Sequence, residues 1–98
     1  MNEQDYLLTQ LSEEAAEVIK EVSKCLHFGL YGADPLIPGP NNVERVVDEL
    51  NDLLGTVQLL VDKGILPSGW SSFSKQQRKR TKIKRFMQCS KKLCILQE

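Results

Sequence analysis

The sequence predicts an all-α fold, and three observations carry that prediction. Apolar residues recur at three- and four-residue spacing through two long segments. Gly- and Pro-rich stretches divide the chain into three pieces, and no strand-like alternation of useful length occurs. A chain of 98 residues makes one domain, 1–98, with no room for a second core. A helical domain this small buries a modest fraction of its surface alone. The expected architecture is therefore an antiparallel helical bundle completed by oligomerisation.

The first helix is expected from about Asp5 to His27, with Leu8, Leu11, Ala15, Val18, Ile19, Val22 and Leu26 on one apolar face. Gly29, Gly32, Pro35, Pro38, Gly39 and Pro40 then fill a stretch that cannot continue a helix. Asn41 or Asn42 can cap the second helix, and Glu44 suits its first turn. That helix is expected to reach about Lys63, burying Val43, Val46, Val47, Leu50, Leu53, Leu54, Val57 and Val61. Gly64 ends it, and Pro67 and Gly69 prevent a restart. A third helix is expected from near Ser71 or Ser72; its apolar residues, Phe73, Ile83, Phe86, Met87 and Leu93, are sparse among Lys and Arg.

The net charge of zero conceals an asymmetry. Residues 1–62 hold 12 acids and 3 bases, a balance of −9, and residues 63–98 hold 10 bases and 1 acid, a balance of +9. The two halves can simply attract one another, or a metal-binding acidic half can face a phosphate-binding basic segment. No apolar run approaches the roughly 18–20 residues that span a bilayer. The acidic start, Met1 to Asp5, does not read as a secretory signal. Cys25, Cys89 and Cys94 form no Cys-x-x-Cys pair, so a reducing cytoplasmic setting is expected, without a disulfide framework or a zinc site.

The chemistry lies in the carboxylates. At about 100° per residue, with Glu14 at zero, Glu17 falls near −60° and Glu21 near −20°, while the apolar arc covers about 20° to 140°. With Glu49 at zero on the second helix, Asp52 falls near −60°, Arg45 near −40° and Thr56 near −20°, again against an apolar arc of about 40° to 140°. Antiparallel packing through the two arcs would bring Glu14/Glu17 and Glu49/Asp52 together at the rim of the core. Acidic residues at such spacing usually form a solvated face. The repetition on two helices, each time tight against the apolar arc, argues otherwise. Converging carboxylates repel unless a cation neutralises them or some protons are retained, and an all-oxygen set suits Mg²⁺, with Mn²⁺ as a substitute. Glu13, Lys20, Lys24 and Asp48 lie further round and are assigned to solvent.

The segment Leu11-Ser12-Glu13-Glu14-Ala15-Ala16-Glu17-Val18, followed by Asp48-Glu49-Leu50-Asn51-Asp52-Leu53-Leu54, resembles the MazG-like all-α nucleoside triphosphate pyrophosphohydrolases. Their signature is Glu-x-x-Glu on one helix and Glu-x-x-Asp on the next. The likeness covers nearly the whole chain and suits the small single-domain members of phage type. One departure is the 31 residues between Glu17 and Glu49, longer than in many relatives. The resemblance implies hydrolysis of a nucleoside triphosphate between the α and β phosphates, giving monophosphate and pyrophosphate in nucleotide-pool housekeeping. It also implies Mg²⁺ and a homodimer or homotetramer. Carried over, Glu14, Glu17, Glu49 and Asp52 hold the metal, and Glu14 or Glu17 also orients or deprotonates the attacking water.

Glu21, Phe28, Lys79, Arg80 and Lys82 are the further substrate-contact candidates: the cations for the triphosphate, Phe28 (or Trp70) for stacking on a base. For each the plainer assignment, a solvated charge or a packing anchor, competes. His27 suits a helix end better than a catalytic role. A single histidine speaks against a ferritin-like di-iron site, and there is no phosphate loop, EF-hand or zinc motif. The rival expectation is a non-catalytic helical module that binds a protein or nucleic acid. Nucleic acid is the weaker partner, since the acidic half repels it and aromatic interleaving is thin.

Overall fold

A computed structural model describes residues 1–33, 36 and 39–97. Pro35 and Pro38 of the helix-breaking stretch lie outside the described residues. All regular structure among the described residues is α-helical, in the order α1 (Glu3–Phe28), α2 (Asn42–Asp62) and α3 (Phe73–Lys92). Among the described residues no helix is long and apolar enough to cross a membrane. The chain divides into two compact units, Met1–Pro67 and Ser68–Glu98.

In the first unit, α1 starts two residues earlier than the spacing of apolar residues suggests. Asn2 is its cap: the Asn2 Oδ1 accepts the Asp5 amide at 2.8 Å, and the Asp5 carboxylate accepts the Asn2 amide at 3.4 Å. This reciprocal pair satisfies two amides that helix geometry leaves unbonded. Asn41 caps α2 through the Glu44 amide at 2.9 Å. Gly64, at φ 74°, ends α2 in the left-handed conformation that glycine takes without strain, and the Ile65 and Leu66 amides turn back onto the Leu60 carbonyl.

α1 and α2 form an antiparallel hairpin. Lys63 Nζ, just past the end of α2, reaches Glu3 Oε1 at the start of α1 at 3.0 Å. At the other end a clasp joins the connection to both helices. Asn42 Nδ2 donates to the Gly29 carbonyl at 2.9 Å, the Asn42 amide to Gly32 at 3.0 Å, and the Val43 amide to Leu30 at 2.9 Å. Asn42 is buried, so these bonds are made away from water, where leaving them unmade is costly. Gly32 has to be glycine here, because a Cβ would collide with the Phe28 carbonyl oxygen.

The faces that meet overlap the expected apolar arcs only in part: Leu11 and Val18 on α1, and Val43, Val46, Leu53, Val57 and Val61 on α2, are sheltered as expected, while the rest of each arc is open. On α1 the sheltered positions Leu7, Leu11, Glu14, Val18, Glu21 and Cys25 form a seam with alternating four- and three-residue steps, and Gln10, Glu17 and Lys24 beside it are half-buried. Its direction, about 15° on the wheel with Glu14 at zero, is only the edge of the arc. α2 offers the matching seam Asn42, Val46, Glu49, Leu53, Thr56 and Leu60. Leu7 and Leu60 are the buried aliphatics among the described residues, with Leu60 wholly enclosed. The far side of each arc faces outward: Leu8, Ile19, Val22 and Leu26 on α1, and Val47, Leu50 and Leu54 on α2, are exposed, Leu26 by 82%. Glu14, Glu21 and Glu49 therefore sit within the contact between the helices, Asp52 stays exposed at its rim, and the broad aliphatic stripe is left open.

In the second unit, Ser72 caps α3 through the Lys75 amide at 3.3 Å. The helix carries nine Lys and Arg and no acid. Lys82 Nζ and Arg85 Cζ stand 5.8 and 5.7 Å from the centre of the Phe86 ring, within cation–π range. Its end repeats the end of α2: the Ile95 and Leu96 amides return to the Ser90 carbonyl. The left-handed residue is now Cys94, at φ 59°, instead of glycine.

Candidate metal centre

Helical spacing builds the site from the middle of the hairpin. Glu14 and Glu21 are seven residues apart, two turns on one face, and Glu17 stands one turn beyond Glu14 toward the solvent side. Glu49 occupies the α2 seam opposite, with Asp52 one turn further along. Glu14, Glu49 and Asp52 each bring a carboxylate oxygen within 4.8 Å of the others, and Glu17, Glu21 and Glu49 do the same. All four residues of the Glu-x-x-Glu and Glu-x-x-Asp pairs thus belong to one acidic cluster, joined through Glu49. The hairpin brings in Glu21 as a fifth member.

The cluster is graded in exposure. Asp52 is exposed, Glu14 and Glu49 are half-buried, and Glu21 is 6% exposed. Lys24 Nζ donates to Glu21 Oε1 at 3.1 Å, while the buried Glu21 Oε2 has no hydrogen-bond partner. Desolvation pushes the Glu49 carboxyl above its ordinary value, and repulsion from Asp52, Glu17, Glu14 and Glu21 pushes it the same way. Negative charge is concentrated where several oxygens are drawn together, one of them sheltered and unbonded. Six oxygens around Mg²⁺, at about 2.1 Å from it, stand about 3 Å apart when adjacent and about 4.2 Å apart across the ion. Carboxylates within 4.8 Å therefore need only small movements to share a cation. The donor set fits Mg²⁺ or Mn²⁺, and Glu14, Glu17, Glu49 and Asp52 are the residues that would hold it.

Two sequence-based assignments change. Lys24 is not a solvent residue; it is half-buried and paired with Glu21. Glu21 is the most sheltered carboxylate of the cluster, and its seven-residue step from Glu14 was the available signal. Glu13, Lys20 and Asp48 are exposed as expected. Phe28 is 73% exposed at the end of α1, its ring tilted at 44° to that of His27 with ring centres 6.1 Å apart. The His27 Nδ1 lies 2.8 Å from the Ser23 carbonyl, which ties its ring to its own helix. Lys79, Arg80 and Lys82 are exposed on α3 in the second unit, and Trp70 is in the same unit. Compared with protein-family models, with curated proteins and with solved structures, the chain finds no match.

Proposed function

We propose that the chain is a Mg²⁺-dependent nucleoside triphosphate pyrophosphohydrolase of the MazG-like type. The observation that supports this reading best is the gathering of Glu14, Glu17, Glu49 and Asp52, from two helices, into one all-oxygen cluster with few compensating charges. A divalent cation bound there supplies charge neutralisation at phosphate oxygens and acidifies nearby water. Glu49, central to the cluster, lies nearest the most carboxylates and gains most from that neutralisation. Glu14 or Glu17 orients or deprotonates the water that attacks the phosphoanhydride. The products are a nucleoside monophosphate and pyrophosphate.

The reading includes assembly. A hairpin whose enclosed aliphatics are Leu7 and Leu60 has a small core of its own. The open stripe of Leu8, Ile19, Leu26, Val47, Leu50 and Leu54 is suited to a second hairpin, giving a four-helix bundle as a homodimer or half of a homotetramer.

The test is incubation with Mg²⁺ and a panel of canonical and modified ribo- and deoxyribonucleoside triphosphates, with products identified and Glu49→Ala run alongside. Monophosphate plus pyrophosphate from the wild type, with at least about a hundredfold loss in the variant, is expected. Release of single phosphate would place the chemistry at another bond. No turnover and no Mg²⁺ binding would favour the second reading, a helical interaction module, for which the cationic α3 with its exposed Phe73, Ile83 and Phe86 is the supporting feature.

A further inference from the structure

The four carboxylates of the paired motifs leave one feature of the cluster unexplained. Glu21 lies outside those motifs, yet it is the carboxylate the fold encloses most completely, at 6% exposure. One of its oxygens is held by Lys24 at 3.1 Å, and the other, Oε2, is buried without a partner. A buried carboxylate oxygen that no donor meets is unfavourable, because the ion has given up its hydration and gained nothing there. The same residue belongs to an oxygen trio with Glu17 and Glu49, separate from the trio of Glu14, Glu49 and Asp52. Glu49 is common to both, and a carboxylate, having two oxygens, can serve two cations.

Charge leads to the same count. The five carboxylates and the Lys24 ammonium carry a formal charge of −4. One divalent cation would halve that excess, and two would cancel it.

We propose that Glu21 is a metal ligand, and that Glu17, Glu21 and Glu49 form a second divalent-cation position beside the one formed by Glu14, Glu49 and Asp52, sharing the Glu49 carboxylate. The proposal rests on the metal-site reading above and extends it from one cation to two. Lys24 keeps Oε1 occupied, so Oε2 is the atom that meets the second cation. An all-oxygen donor set suits a hard ion such as Mg²⁺ or Mn²⁺.

Mn²⁺ by itself is the probe. The full chain, stripped with EDTA, is titrated with Mn²⁺ in the absence of nucleotide, and bound ions are counted by equilibrium dialysis and examined by electron paramagnetic resonance. Two Mn²⁺ per wild-type chain, with the exchange-coupled spectrum of ions joined by one carboxylate, are expected. Glu21→Gln should retain one ion with an uncoupled six-line spectrum, and Asp52→Asn should also retain one. Asp48→Asn, which alters an exposed neighbour, should keep two. Circular dichroism checks that Glu21→Gln is folded; if it is not, the wild-type count and coupling decide the matter. A single ion in the wild type, or two coupled ions in folded Glu21→Gln, would overturn the proposal. One ion together with pyrophosphate release would remove the second position and leave the proposed activity standing. No bound ion and no turnover would remove both.

Discussion

Replacing Glu49 by glutamine should change stability in opposite directions with and without Mg²⁺. Glutamine keeps the shape of the side chain and removes the charge that both oxygen trios share. Without metal, the wild type must hold that charge against Glu14, Glu17, Glu21 and Asp52, so at neutral pH Glu49→Gln should melt higher than the wild type. With Mg²⁺ the order should reverse. A ligand at 100 times its dissociation constant adds about 2.7 kcal/mol to the folded state. A domain the size of the Met1–Pro67 unit moves about 4–8 °C per kcal/mol, so the wild type should gain about 10–20 °C. Glu49→Gln should lose nearly all of this gain. Asp52→Asn, which belongs to one trio alone, should lose only part. The assay is a thermal melt followed by helical circular dichroism in EDTA and across a Mg²⁺ series, with Asp48→Asn as the exposed control. An ordinary packing defect would lower the melting temperature equally in both media. That result, or equal Mg²⁺ gains in Glu49→Gln and the wild type, would refute the reasoning.

Three further outcomes are expected. The Glu49 carboxyl binds its proton more tightly in the folded chain than in the unfolded one, so the stability this adds is complete below the ordinary value of 4.5 and is lost as pH rises through the raised one. In EDTA the wild type should therefore match Glu49→Gln near pH 4 and fall progressively below it toward pH 7; a wild type that gains on the variant would show the sign to be wrong. Ile19 is 70% exposed in the centre of the open stripe, and Ile19→Lys should shift sedimentation from dimer or larger toward monomer, with the helix content largely kept at high protein concentration. A left-handed residue with a Cβ costs about 1 kcal/mol, so Cys94→Gly should protect the amides at the end of α3, Ile95 and Leu96 among them, about fivefold better from hydrogen exchange. Unchanged protection there would show that the turn is not strained.

Much of this hairpin was legible in the sequence because the punctuation is chemical. Asn41, Gly64 and Ser72 mark their helix ends by well-defined side-chain or backbone roles, and Gly29 closes α1 with its amide on Cys25 at 2.9 Å. The start at Asn2 was less visible, because Asp5 completes the cap where glutamate or glutamine is the usual partner. The acidic cluster was legible because Glu14, Glu17, Glu49 and Asp52 keep fixed angles to the apolar arc. The seam was not. A helical wheel shows a broad arc but not which part of it meets the neighbour within the same chain, and here that part is centred near Glu14 and Glu49 instead of Ile19 and Leu50. This offset of about 65° encloses Glu21, draws Lys24 inward and leaves Leu26 outside.

The clasp at the open end of the hairpin has a consequence for how such a chain can vary. Gly29, Gly32 and Asn42 join the chain leaving α1 to the chain entering α2 before the intervening residues have any say. The relative register of Glu14, Glu17 and Glu21 against Glu49 and Asp52 is thereby separated from the length of the connection. Closure entropy grows slowly with loop length, by only about 0.6 kcal/mol per doubling. Insertions between Ala33 and Gly39 are accordingly the kind of change that natural drift or deliberate grafting can make without disturbing the carboxylates. A substitution at Gly32 or Asn42, though far smaller on paper, would act directly on their alignment.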